Sequence, residues 1–228
     1  MLYFFKNLII FLLSFSFIEN AFATNTSTGT NALSSLTTGT YNTANGYYSL
    51  YSNTTGYQNS ALGSSTLKNN TTGNANTALG YNSLYENTTG SYNVGVGHES
   101  LNKNISGDGN SALGMQSLFN NTTGDYNTAV GNNSMNKNTT GEYNTALGLS
   151  SLNSNVTGSR NLATGTYSLF SNQTGSGNVA AGNQSLFSNT TGGYNVAIGN
   201  DTMHSNTTGQ QNTAVGTSSM YKNTTGEN

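Results

Sequence analysis

N-T-T-G-N-A-N-T-A-L-G-Y-N-S-L-Y-E, residues Asn70–Glu86, is the plainest copy of a 17-residue phrase that repeats along most of the chain. Its first glycine recurs every 17 residues from Gly39 to Gly226, and a second glycine follows seven residues later, from Gly46 to Gly216. Positions are counted from the first glycine as 0, so that the phrase runs from −3 to +13. A fixed period near this length is typical of an array in which each repeat stacks on the next.

Three positions inside the repeat hold nearly the same residue throughout. Position +5 is alanine except at Gly95, position +11 is leucine or methionine, and position +3 is always asparagine. When equivalent strands stack in register, each position becomes a column of like residues, and asparagine amides can donate and accept along such a column. We therefore predict a structural ladder formed by Asn42, Asn59, Asn76, Asn93, Asn110, Asn127, Asn144, Asn161, Asn178, Asn195 and Asn212.

No segment has helical periodicity, and glycine at every seventh or tenth residue would interrupt any helix. Each repeat instead contains two short extended runs, at about +3 to +6 and +10 to +12, separated by residues that favour tight turns. Runs this short are stable only when each pairs with its equivalents in neighbouring coils, about 4.8 Å away. The sequence thus predicts an all-β fold, a β-solenoid of about twelve 17-residue coils.

Position +6 is mostly leucine, valine or isoleucine, and it decides how the outside of the array is built. Because side chains alternate along an extended run, +4 and +6 point away from +3 and +5. If alanine and leucine fill the narrow interior, the aliphatic residues at +6 form a stripe along the outside. A stripe of that size usually marks an interface, so we expect the protein to associate with itself.

Residues 1–23 have the features of a signal peptide. Lys6 gives a weakly basic start, residues 8–18 form an apolar run too short to span a bilayer, and Ala21–Ala23 has the small-x-small pattern of a cleavage site. A retained membrane anchor is the alternative. We predict cleavage after this pattern, no membrane span beyond it, and export of one repeat domain, residues 24–228. The expected location is the cell surface, the outer membrane or the extracellular space.

Charge and reactive residues argue against several classes of function. The chain has 6 Lys and Arg against 8 Asp and Glu, a formal net charge of -2, which gives no electrostatic basis for binding nucleic acid or anionic membrane. There is no cysteine, and His98 and His204 lie in different columns. The acidic residues do not recur at the fixed places that a calcium-binding roll requires. We expect no enzymatic activity, no metal and no cofactor.

Aromatic residues concentrate at +2 and +12, and exposed rows of such rings can hold sugars or proteins through their flat faces. Packing over the corners of the coil, or at a seam between subunits, is the other explanation. The candidate ligand contacts are Tyr92, Tyr126, Tyr143 and Tyr194 at +2, with Phe119, Phe170 and Phe187 at +12.

Asparagine at −3 and threonine at −1 also recur, as in Asn121 and Thr123. Two regular columns on one flat face would suit an ice-binding protein, which is the alternative function. A ladder of turns is the competing explanation, because a glycine follows each threonine. The same triplets are formal N-glycosylation sequons. With a leader of bacterial type, we attribute them to turn chemistry.

Two stretches show the core of the phrase, N-x-A-x-G-x-x-S-L/M, most plainly: Asn76–Leu84 and Asn127–Met135. This pattern resembles the head repeats of trimeric autotransporter adhesins, the YadA-like surface adhesins, and the repeats of tail-fibre-like surface proteins. The resemblance covers residues 25–228. It implies a left-handed parallel β-roll, three chains side by side, and attachment at the cell surface to a host or matrix protein or a glycan. Such a homotrimer would bury the aliphatic stripe.

The chain departs from that family in two respects. Family heads commonly use a shorter repeat, so the extra N-T-T is expected to enlarge one corner of the coil. Residues 24–228 contain no counterpart of the family's stalk or membrane-barrel segment, so the resemblance does not predict how the protein is anchored.

Overall fold

The structure, a computed structural model, describes residues 24–226. The predicted signal peptide, residues 1–23, and the last two residues of the predicted repeat domain lie outside this range. Within it no helix is long and apolar enough to cross a membrane.

Each coil contributes one strand of three residues, at +4 to +6, to a single twelve-stranded sheet. Strands follow one another in chain order and pair in parallel, with partners one repeat apart, as in Ala129 opposite Ala146. The predicted all-β solenoid with a 17-residue coil is confirmed. The strands are β1 Thr26–Thr28, β2 Thr43–Asn45, β3 Ser60–Leu62, β4 Thr77–Leu79, β5 Val94–Val96, β6 Ser111–Leu113, β7 Thr128–Val130, β8 Thr145–Leu147, β9 Leu162–Thr164, β10 Val179–Ala181, β11 Val196–Ile198 and β12 Thr213–Val215.

The second predicted strand, at +10 to +12, is wrong: this segment is a turn. Its residues at +9 and +11 have positive φ in coil after coil, for example 52° at Gln116 and 49° at Leu118, so the chain cannot be extended there. The turns still stack. The Leu118 N–H donates to the Ser134 carbonyl one coil further on, at 3.0 Å. Backbone hydrogen bonds between coils therefore continue where β geometry does not.

Two apolar columns line the interior. Alanine at +5 and leucine or methionine at +11 are almost all fully buried, including Ala129, Leu118 and Met135. Because leucine or methionine fills +11 in every complete coil and alanine fills +5 in all but the coil of Gly95, the apolar core is continuous along the solenoid. The interior positions predicted from the repeat are confirmed.

The rest of the interior is polar. The asparagine at +3 donates to the same residue of the previous coil: both the backbone N–H and the side-chain amide of Asn127 reach Oδ1 of Asn110, at 3.0 and 3.2 Å. The same amide also donates to the Gly141 carbonyl at 2.8 Å, which closes the coil. From Asn59 to Asn195, each amide in this ladder is thus a donor to two acceptors, and its oxygen accepts from the next coil.

A second buried ladder runs at −3. The Asn121 amide donates to Asn104 Oδ1 at 2.8 Å and to the Gly124 carbonyl at 2.9 Å. The amide of Asn110, from the +3 ladder, reaches the same Gly124 carbonyl at 2.8 Å. From Gly56 to Gly209, each first glycine therefore lies where the two ladders meet, and a Cβ on Gly124 would lie 2.6 Å from Asn121 Oδ1.

Candidate interaction surfaces

The outer face of the sheet carries the predicted aliphatic stripe. Residues at +6 point outwards, and Leu62 and Leu113 are about half exposed, at 51% and 50%. Between neighbouring coils the same face forms an open depression of about 390 Å³, lined chiefly by Leu62 and Leu79 with Thr43 and Thr77 beside them. The stripe, defined as the aliphatic residues at +6, is confirmed as an exposed feature of the chain.

The tyrosines at +2 are exposed, but several have their ring faces covered. Tyr126 and Tyr143 stack at 5.2 Å with 16° between their planes, and the Arg160 guanidinium lies 5.8 Å from the Tyr143 centroid. The other face of Tyr126 lies against Gly109, where a Cβ would be 2.8 Å from the ring. These rings offer edges and hydroxyls rather than flat faces. Tyr92 and Tyr194 are the most exposed of the candidate contacts, each at 67%.

The aromatic residues at +12 form a continuous stack in the last four coils. Phe170, Phe187, His204 and Tyr221 follow one another with centroids 5.3, 5.1 and 4.9 Å apart. The candidates Phe170 and Phe187 are therefore partly buried against their neighbours. Phe119 lies under the Lys103 ammonium, 5.2 Å from its centroid. For these phenylalanines the structure favours packing over a corner.

A cationic corner was not anticipated from the sequence. The four lysines of the described chain all lie at +12 or +13, and we call them the lysine corner: Lys68, Lys103, Lys137 and Lys222. The net charge of the chain gives no sign of this clustering. The only signal in the sequence is the position of the lysines within the repeat. Tyr47, at +8 of the first complete coil, has its pKa raised by a side-chain hydrogen bond with the neighbouring Tyr48.

Three acidic residues occupy a different column, at +1. Asp108, Asp125 and Glu142 follow one another in consecutive coils. Oδ1 of Asp125 accepts a hydrogen bond from the backbone N–H of Asp108 at 2.7 Å, and Oδ1 of Asp108 accepts from Ser91 in the same way. Carboxylates at +1 are therefore part of the hydrogen bonding between coils.

The histidines are brought into aromatic contacts rather than into a reactive site. His98 stacks on Tyr81 at 5.3 Å, and its Nδ1 is 3.7 Å from Glu99. His204 belongs to the +12 stack. No group of three or more His, Cys, Asp or Glu residues that could hold a metal occurs among residues 24–226. The serines at +10, such as Ser117 and Ser134, are buried.

The paired columns expected for an ice-binding face do not exist. The asparagines at −3 are completely buried from Asn53 to Asn206, whereas Thr123 and its equivalents at −1 are exposed, so the two columns share no surface over these coils. The same burial removes the sequon asparagines from Asn53 to Asn206 from the surface of the folded chain, whereas Asn223 is partly exposed. The expectation that the −3 and −1 columns share a face was wrong, because interior and turn asparagines look alike in sequence.

The chain has no significant match among protein-family models, curated proteins or solved structures.

Proposed function

We propose that the chain is an exported structural and adhesive protein that mediates attachment through the long sides of its solenoid. It acts at the cell surface or in the extracellular space, as a homotrimer. The observation that carries this proposal is the exposed aliphatic stripe along the sheet face. The resemblance of the repeats to trimeric adhesin heads supplies the attachment role.

The stripe supports association between copies for a physical reason. Six of its members are between 40% and 66% exposed: Leu62, Leu79, Leu113, Leu147, Ile198 and Val215. Burying the exposed part of each side chain contributes about 1 kcal/mol. Because every coil presents its +6 residue on the same face, chains with parallel axes would bury the stripe along the whole solenoid.

The direct test is attachment of cells that carry or lack the protein to host-cell or matrix-coated surfaces. We expect the carrying cells to attach in greater number. Cells that produce the triple variant Leu79→Ser, Leu113→Ser and Leu147→Ser are the matched control, since these changes disrupt the stripe and leave the interior intact. Equal attachment with and without the protein, at verified surface levels, would contradict the proposal.

Ice binding is a weaker candidate in the light of the structure. It would now have to rest on the single threonine column at −1, because the asparagine column is buried. Measurement of thermal hysteresis on the purified protein separates the two functions, and we expect none at millimolar concentration.

A further inference from the structure

The lysine corner has a regular spacing along the solenoid. Lys68, Lys103 and Lys137 belong to every second coil, the coils whose first glycines are Gly56, Gly90 and Gly124. The stacked rings at +12 show neighbouring coils 4.9 to 5.3 Å apart. Successive cations of this series are thus about 10 Å apart along the axis, twice the spacing of paired strands.

An aromatic ring lies between successive cations. Tyr85 occupies +12 between Lys68 and Lys103, and Phe119 occupies it between Lys103 and Lys137. The Lys68 ammonium lies 3.1 Å from the Tyr85 hydroxyl and 5.2 Å from its ring centroid. Lys103 has the same ring distance to Phe119. Cation–π contacts of this kind hold an ammonium group in place without neutralising it.

The coil after each of these rings has asparagine at +12. In the coils of Lys103 and Lys137, position +12 is Asn102 or Asn136, whose amide folds back to donate to a backbone carbonyl, that of Asn82 or Gln116. Within residues 24–226, no lysine has a carboxylate oxygen within 4.0 Å of its ammonium. Glu86 is the one carboxylate that shares the +12 and +13 positions with the lysines.

We propose that the lysine corner binds an extended acidic polysaccharide with one anionic group on every second sugar. The anionic groups pair with Lys68, Lys103 and Lys137, and the intervening sugars lie against Tyr85 and Phe119, whose rings present apolar surface. Two sugars of an extended chain have about the length of two coils. This proposal names a ligand class for the attachment function and rests on that function for its biological role.

The density of charge distinguishes this ligand from nucleic acid. A nucleic acid strand carries a phosphate about every 3.4 Å along the duplex axis, roughly three for each lysine of the corner. A sparsely charged polyanion matches the spacing of the lysines, whereas a densely charged one does not.

Calorimetric titration of the purified protein with hyaluronan oligosaccharides, which carry one carboxylate per disaccharide, tests the proposal. We expect binding that weakens as salt is raised. The triple variant Lys68→Gln, Lys103→Gln and Lys137→Gln should lose about tenfold in affinity, because three exposed charge contacts are removed. The matched control, Asp108→Asn, Asp125→Asn and Glu142→Gln, changes as many charges in the +1 column and should bind as well as the wild type.

A second variant isolates the spacing from the charge. Lys103→Asn combined with Asn120→Lys keeps the net charge but moves one cation to the neighbouring coil. Affinity should fall roughly twofold, the loss of one exposed charge contact. Circular dichroism confirms that each variant keeps the fold, and neutral dextran and poly(dT) serve as reference ligands.

Any of four binding results would overturn the proposal: no binding of hyaluronan by the wild type, undiminished binding by the triple lysine variant, undiminished binding by the spacing variant, or tighter binding of poly(dT) than of hyaluronan. A changed molar mass of the triple lysine variant would assign the corner to contact between copies, which also overturns it. The attachment function fails separately. If the protein binds hyaluronan but cells with and without it attach equally, only that function is wrong.

Discussion

At the scale of single residues, the interior of this solenoid is held by amides as much as by aliphatic side chains. A buried polar group left without a partner costs about 1–3 kcal/mol, so the two asparagine ladders specify register strongly. A slip of one residue would break both ladders in every coil. This accounts for the invariance of asparagine at +3 in a chain where most surface positions vary.

Asn127→Asp tests the ladder. The new carboxylate oxygen would face Asn110 Oδ1 and the Gly141 carbonyl, which now accept from the amide. These acceptors and burial favour the protonated acid, so its pKa in the folded chain should be raised above the ordinary value of about 4. The folded state then binds a proton more tightly than the unfolded state. Little stability is lost below pH 4, and the loss grows as the pH rises.

Thermal unfolding across this pH range, followed by circular dichroism, measures the effect. At pH 7 we expect the variant to be destabilised by about 3 kcal/mol or more, since an isolated buried charge is costly. Asn132→Asp, at an exposed position of the same coil, is the control and should behave as the wild type. Equal stability of the two variants at pH 7 would show that Asn127 is not in the interior.

At the scale of the element, each coil is one short strand followed by stacked turns. The second glycine, at +7, makes the corner after the strand. Gly148 has a φ of 137°, a region that side chains rarely enter, and a Cβ there would lie 2.6 Å from the Gly165 carbonyl of the next coil. The corner thus requires glycine for two reasons: its positive φ, and the close approach of the backbone of the next coil.

Gly148→Ala and Gly216→Ala separate these two requirements. Gly216 has a similar φ of 114°, but nothing lies within 4 Å of a Cβ placed on it. Strain of the backbone alone costs about 1–3 kcal/mol, so the free energy of unfolding of both variants should fall by about this amount. Gly148→Ala should lose more, because it also forces two coils apart. Chemical denaturation of the two proteins measures the difference, and equal losses would rule out the close contact between coils.

The period of the sequence was sufficient to predict the parallel register, the interior positions +5 and +11, and the outward stripe at +6. It was not sufficient for the turn at +10 to +12, because leucine at a positive φ, as in Leu118, leaves no mark in residue type. The conformation is imposed by hydrogen bonds to neighbouring coils. Burial of Asn121 and its column was missed because N-T-T-G reads as turn chemistry. Asparagine recurs at −3 in every coil from Asn53 onwards, as it does at +3, and this recurrence was the signal of a buried ladder.

At the scale of the whole molecule, the surface divides into columns of different chemistry. Aliphatic residues follow the sheet face, tyrosines and acids lie on one side of the repeat, and lysines with aromatic rings lie at another corner. A solenoid of this kind is stabilised mainly by contacts between adjacent coils. Its outer columns can therefore change without loss of the fold, which suits a protein that serves as a surface for binding.

The triple variant Leu79→Ser, Leu113→Ser and Leu147→Ser tests the proposed homotrimer. Light scattering should give three times the chain mass for the wild type and the mass of one chain for the variant. The serines remove the apolar area whose burial would stabilise the trimer. The β signal in circular dichroism should be retained. Thr72→Ser, Thr123→Ser and Thr140→Ser, changes at another exposed column, should leave the trimer intact. A monomeric wild type, or a trimeric stripe variant, would contradict the proposal.

Distances between spin labels test most directly whether the coils stack in register. The chain has no cysteine, so Thr72→Cys can be combined with Thr157→Cys or Thr208→Cys, at equivalent exposed positions five and eight repeats away. In labelled protein diluted with unlabelled chain, pulsed electron resonance should give narrow distributions near about 24 and about 38 Å, in proportion to the number of coils. Broad distributions, or distances that do not scale with coil number, would contradict the solenoid.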